Sequence, residues 1–83
     1  MNKSVELYSL STCSHCKSVK NLFQKENIDY NYTDVDLLKG DERSDAIKTV
    51  KKLNYKCSFP TICIGDKVIV GFKENEIKEA LGL

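Results

Sequence analysis

The chain has 83 residues, 41% of them hydrophobic, with 13 Lys and Arg against 12 Asp and Glu. Residues 1–83 read as a single small domain, too apolar for a disordered chain and with no linker or repeat inside it. A net charge of +1 supplies neither the basic field that holds nucleic acid nor an acidic tail. Four cysteines and one proline stand out. Met1 to Leu10 has no apolar segment of signal length, and no stretch approaches the ~20 apolar residues of a membrane span. A cytoplasmic address with no membrane association is therefore expected. In that reducing setting cysteines serve catalysis or metal binding more often than they build scaffolds.

Val5 to Ser9 alternates with apolar groups on both faces and predicts a short central strand. From Ser14 the period changes. Val19, Leu22 and Phe23 fall at helical spacing, predicting an amphipathic helix over Ser14–Glu26 that stops at Asn27. Tyr-rich alternation predicts a second strand, Asp29–Asp34. A second helix starts at Asp41 or Glu42 and runs to Leu53, with Ala46, Ile47, Val50 and Leu53 as its stripe. Pro60 opens a third strand, Thr61–Ile64. Gly65-Asp66, with glycine first, suits a type II′ turn into a fourth strand, Lys67–Val70. Glu74–Leu81 forms the last helix, with Glu74 and Glu76 in its first turn, where the helix dipole favours them, and Gly82 closes it. The class is α/β, in the order β-α-β-α-β-β-α. A right-handed crossover makes the first two strands parallel, and the sheet is mixed, four-stranded and flanked by helices.

Cys13-Ser14-His15-Cys16 sits where the first strand meets the first helix. Residues three apart on a helix share a face at ~5–6 Å between Cβ atoms, a spacing that suits a disulfide with little backbone movement. Cys13 lies at the helix entrance, where unpaired N–H groups and the positive dipole end favour a thiolate, so it is the expected attacking sulfur. Cys16, one turn inside, is the expected resolving sulfur. A protonated His15, helped by Lys17, would stabilise the reduced form and make the disulfide more oxidising. Against this stands His15 as an exposed residue with no partner. C-x-x-C spacing also occurs in zinc knuckles, but those sit on turns between short strands rather than at the start of a long amphipathic helix.

Tyr8-Ser9-x-x-x-Cys13-x-x-Cys16-Lys17 followed by a helix resembles the glutaredoxin family, as does Phe59-Pro60-Thr61-Ile62-Cys63-Ile64-Gly65. The resemblance covers nearly the whole chain and implies the thioredoxin fold, with Pro60 as a cis proline packed against the Cys13–Cys16 pair. Ser58, Phe59, Pro60, Gly71 and Phe72 would then bind substrate, the proline loop pairing with a peptide or glutathione cysteine. A proline at a strand start also has the simpler reading that no ladder N–H is needed there. The departures matter too. Glutathione-using members carry a lysine three residues before the first cysteine, where this chain has Leu10. They carry Thr-Val before the proline, where this chain has Ser58-Phe59. They also carry an aspartate after paired glycines, where this chain reads Val70-Gly71-Phe72-Lys73. Gly71-Phe72-Lys73 instead resembles the NrdH-redoxin branch. That branch takes electrons from a thioredoxin-reductase-type enzyme and supplies protein disulfides such as that of ribonucleotide reductase.

The resemblance thus implies a monomeric dithiol oxidoreductase with no cofactor beyond the Cys13–Cys16 disulfide and no metal. Glutathione as donor is the alternative. A zinc or iron–sulfur module using Cys13, Cys16, Cys57 and either Cys63 or His15 is a reading of another class. Alternation makes Cys63 a core residue. Cys57, three residues before Pro60, is either an ordinary loop thiol or an accessory redox thiol. Lys48, Lys51, Lys52 and Lys56 form the solvated face of the second helix, with docking of an acidic partner as the sharper reading.

Overall fold

Strand β1, Val5–Ser9, alternates buried and half-buried residues and lies between two neighbours, β2 (Asn31–Asp34) and β3 (Thr61–Ile64). The computed structural model describes residues 4–83. The remaining elements are α1 (Ser14–Lys25), a 3-10 turn (Val35–Leu37), α2 (Gly40–Leu53), β4 (Lys67–Val70) and α3 (Glu74–Leu81). The sheet runs β2-β1-β3-β4, with β1 and β2 parallel and the other two pairs antiparallel.

Register sets the core. Tyr32, Leu7, Ile62 and Ile69 stand opposite one another in a single row across the sheet, and Leu7 and Ile62 are fully enclosed. Leu7, Ile62 and Ile69 of that row form the main cluster with Val5 and Ile64 on the same sheet face, Val19, Leu22 and Phe23 of α1, and Ile77 and Ala80 of α3. Enclosing each large aliphatic side chain stabilises the fold by about 1.5–3 kcal/mol. Helix α2 adds nothing to the cluster; its enclosed residue is Val50.

Turn chemistry agrees with the sequence. Gly65 takes φ of +60° and Asp66 stays at negative φ, as a type II′ turn requires. Gly82 caps α3 at φ of +80°, where the Leu83 N–H donates to the Lys78 carbonyl.

Four boundaries or placements differ from expectation. Helix α1 ends at Lys25, with Glu26 as its cap. Strand β2 begins at Asn31 rather than Asp29, because the Ile28 N–H donates to the Phe23 carbonyl at 2.8 Å and folds the chain back against its own helix. Tyr30 then packs on Phe23 with ring centroids 4.8 Å apart. Helix α2 starts at Gly40, one residue early. Cys63 is half-buried rather than a core residue. It stands opposite Glu6 on the sheet face away from the main cluster, and burial, then the Glu6 charge, pushes its thiol pKa up.

Candidate active site

After Ser9 the chain turns sharply, and the Cys13 N–H donates to the Leu10 carbonyl at 3.2 Å. Cys13 is extended, at φ −84° and ψ 121°, and its sulfur caps α1 by accepting the Cys16 N–H at 3.3 Å. A thiol here takes the position usually held by Ser, Thr, Asp or Asn. The first turn of α1 contains no acidic residue, so nothing of opposite sign competes with Cys13 for the positive helix end.

Cys16 is fully enclosed. Burial and a side-chain hydrogen bond with Cys13 push its pKa up to about 12, against opposing pulls from the Leu10 backbone and Lys20. The two sulfurs are therefore unequal. One is half-exposed at the helix end, and the other is enclosed and holds its proton at neutral pH. His15 and Lys17 are exposed, and neither side chain forms a hydrogen bond or ion pair among the described residues.

The proline loop reaches the same end of the sheet. Thr61 stands opposite Tyr8 near the end of β1, and Val70 stands opposite Thr61. Both the 57–60 loop and Gly71-Phe72 thus flank the turn that carries Cys13. The Phe59–Pro60 bond is cis and Pro60 is enclosed. The Gly71 N–H donates to the Pro60 carbonyl at 2.8 Å, tying the two loops together. The Ser58 carbonyl accepts from the Thr61 hydroxyl at 2.7 Å and from the Asn54 amide at 3.4 Å. Phe59 and Phe72 are half-buried, and Phe72 packs against the core. Cys57 holds φ of +51°, a left-handed conformation uncommon outside glycine. Among the described residues, no three His, Cys, Asp or Glu side chains group as metal ligands would. The four-ligand set raised from the sequence has no geometric counterpart there.

Sequence reasoning missed the supports of the redox turn. Ser11 donates its N–H to Asp36 Oδ1 at 2.9 Å and its hydroxyl to Oδ2 at 2.5 Å. Ser9 donates its hydroxyl to Asp34 at 2.5 Å, and the Lys20 ammonium meets the same carboxylate at 3.0 Å. The one available signal was spacing: Ser9-x-Ser11 faces Asp34-x-Asp36, two residues apart on each of two parallel segments. The Ser11 hydrogen bonds hold the Asp36 pKa below the usual 3.8. A depressed carboxylate pKa stabilises the fold fully above the unfolded value and loses that effect as pH falls through the folded one. The Ser11 clamp accordingly persists at neutral pH and releases only below about pH 4. In Asp36→Ala the Ser11 amide exchanges with deuterium faster than in wild type at pH 7. Equal exchange would show that the clamp does not hold the turn.

A family model described as glutaredoxin matches residues 5–69. The crystal structure of methanoredoxin from Methanosarcina acetivorans superposes with a TM-score of 0.94 at 46% identity, over 99% of this chain and 87% of that one. An uncharacterized glutaredoxin-like 8.6 kDa protein in the rubredoxin operon of Clostridium pasteurianum is 30% identical over 93% of this chain and 96% of its own length. An Escherichia coli NrdH-redoxin shares the fold, with a TM-score of 0.76 at 18% identity over 92% of each chain.

Proposed function

The chain belongs to the glutaredoxin family, and from that premise we propose that it reduces protein disulfides through Cys13 and Cys16, with electrons from a reductase rather than from glutathione. The thiol oxidoreductase class follows from the family. The observation that supports the dithiol mechanism is the asymmetry of the pair, a half-exposed sulfur capping α1 beside an enclosed partner one turn on.

Cys13 as thiolate attacks one sulfur of the substrate disulfide. A mixed disulfide forms and the first substrate thiolate leaves. Cys16 loses its proton and attacks the Cys13 sulfur. The mixed disulfide breaks, the second substrate thiolate leaves, and the protein keeps the Cys13–Cys16 disulfide. Two electrons pass to the substrate, and the donor later returns two. Ser58, Phe59 and Pro60, with Gly71 and Phe72 alongside, are the surface on which the substrate chain lies. Cys57 stands in that loop as an accessory thiol. Among the described residues, no helix is long and apolar enough to cross a membrane.

The donor reading rests on Leu10 and Lys73, which stand where glutathione-using relatives carry their charged contacts. Insulin reduction coupled either to a thioredoxin-reductase-type enzyme or to glutathione and its reductase tests it. Faster turnover with the reductase is expected. Faster turnover with glutathione would reverse the choice of donor, and none with either would remove the disulfide-reductase reading.

His15 is proposed to raise the redox potential. When protonated, His15 beside Cys13 would stabilise the thiolate, hence the reduced form, and place the potential above the about −270 mV of thioredoxin. His15→Ala is expected to lower the potential measured against glutathione or dithiothreitol. An unchanged value would leave His15 with no tuning role.

A further inference from the structure

Three elements converge on one half-buried charge pair whose lysine lies one helical turn beyond the resolving cysteine. Asp34, at the end of β2, accepts the hydroxyl hydrogen bond of Ser9, which is fully enclosed at the end of β1. The same Asp34 oxygen meets the Lys20 ammonium at 3.0 Å, with the two side chains 15% and 23% exposed. The ammonium also lies over the Tyr32 ring, 4.6 Å from its centroid. Lys20 follows Cys16 by four residues on α1, so the two share a helix face. Helical side chains lean toward the N-terminus, which brings the lysine stem over the turn that carries Cys16.

We propose that Lys20, fixed by Asp34 and Ser9, is a positioning residue for the second half of the exchange, its ammonium stabilising the thiolate that forms on Cys16. The idea rests on the dithiol mechanism above and assigns a part of it that the C-x-x-C motif leaves open. Attack on the mixed disulfide requires Cys16 to lose its proton inside the protein. Of the groups acting on it, burial and Cys13 oppose that loss, while the Leu10 backbone and Lys20 favour it. Lys20 is the charged member of the favourable pair. Asp34 and Tyr32 from β2 face the lysine, and Ser9 from β1 orients the carboxylate. A flexible lysine would be drawn into solvent, whereas this one is held at two points, the Asp34 carboxylate and the Tyr32 ring. The step balances without a further reactant. Cys16 gives up a proton to solvent, its sulfur bonds to Cys13, the mixed disulfide breaks, and the leaving thiolate takes up a proton.

The test separates the two steps. A symmetric nitrophenyl disulfide releases one coloured thiolate when Cys13 attacks and a second when Cys16 resolves, and stopped-flow absorbance times both. In Lys20→Met a loss worth one pKa unit cuts the Cys16 thiolate tenfold, but the remaining thiolate is more nucleophilic, with a Brønsted coefficient of about 0.4–0.5. The second release is therefore expected to slow about three- to fourfold at neutral pH, and its pH profile to shift upward. The first release stays as in wild type, and Lys20→Arg restores the second. The Cys16 thiol pKa, read from its Cβ chemical shift in wild type and in Lys20→Gln, gives the same answer without turnover, and it rises in the variant. An unchanged second release with an unchanged Cys16 pKa, or equal slowing of both steps, would overturn the assignment. A wild type that releases only one thiolate would instead overturn the dithiol mechanism, and this assignment with it.

Discussion

Cys13→Ser loses disulfide reduction by about a thousandfold or more in an insulin assay, the scale seen when an enzyme loses its nucleophile. Cys16→Ser fails differently. Its Cys13 still attacks, but nothing resolves the product, so one equivalent of substrate stays covalently attached. Non-reducing mass spectrometry with peptide mapping, on protein mixed with a cysteine-containing peptide disulfide, detects that adduct at Cys13 of Cys16→Ser and none at Cys16 of Cys13→Ser. The asymmetry follows from the geometry. Cys13 sits half-exposed at the helix end and receives an N–H hydrogen bond on its sulfur. Cys16 is enclosed, with its pKa pushed up to about 12, and is a poor first attacker at neutral pH. If Cys16→Ser were inert and Cys13→Ser formed the adduct, the roles would be reversed.

Phe23→Ala strongly destabilises the protein. Phe23 is fully enclosed, the largest of the fully buried side chains, and it joins α1 to Tyr30 ahead of β2. Removing such a ring costs about 3–5 kcal/mol. A domain of this length has roughly 4–12 kcal/mol in all, so the loss takes a large share of the total. The thermal midpoint followed by far-UV circular dichroism falls by at least about 12 °C. Leu37→Ala is the control, because Leu37 is 64% exposed, and such surface changes stay within about 0.5 kcal/mol. A near-wild-type melt of Phe23→Ala would mean that the core closes around the gap.

Much of the architecture was legible because it is local. The apolar spacing of Val19, Leu22 and Phe23 specifies a helix with a single buried face, and Gly65-Asp66 permits the hairpin turn without strain. The expectations that failed were those in which a distant partner decides. Strand β2 starts two residues later than its alternation suggests, because the Ile28 N–H is taken by the Phe23 carbonyl. Cys63 alternates as a core residue should, yet its face of the sheet is less fully covered and carries Glu6 opposite it.

The sequence alone determined the order of elements, the redox pair and its place at a helix entrance. Each depends on residues within a few positions of one another, where spacing and chirality leave little choice. The tertiary structure alone decided what surrounds that pair. Asp34 and Asp36 reach Ser9 and Ser11 across 25 residues of chain, Gly71 ties its N–H to Pro60, and Lys20 on α1 is fixed by a carboxylate from β2. Hydrogen bonds between segments distant in the chain form only once the sheet register is set. Alternation fixes which sheet face a residue takes but not which distant residue stands opposite it, so these supports became visible only in the folded molecule.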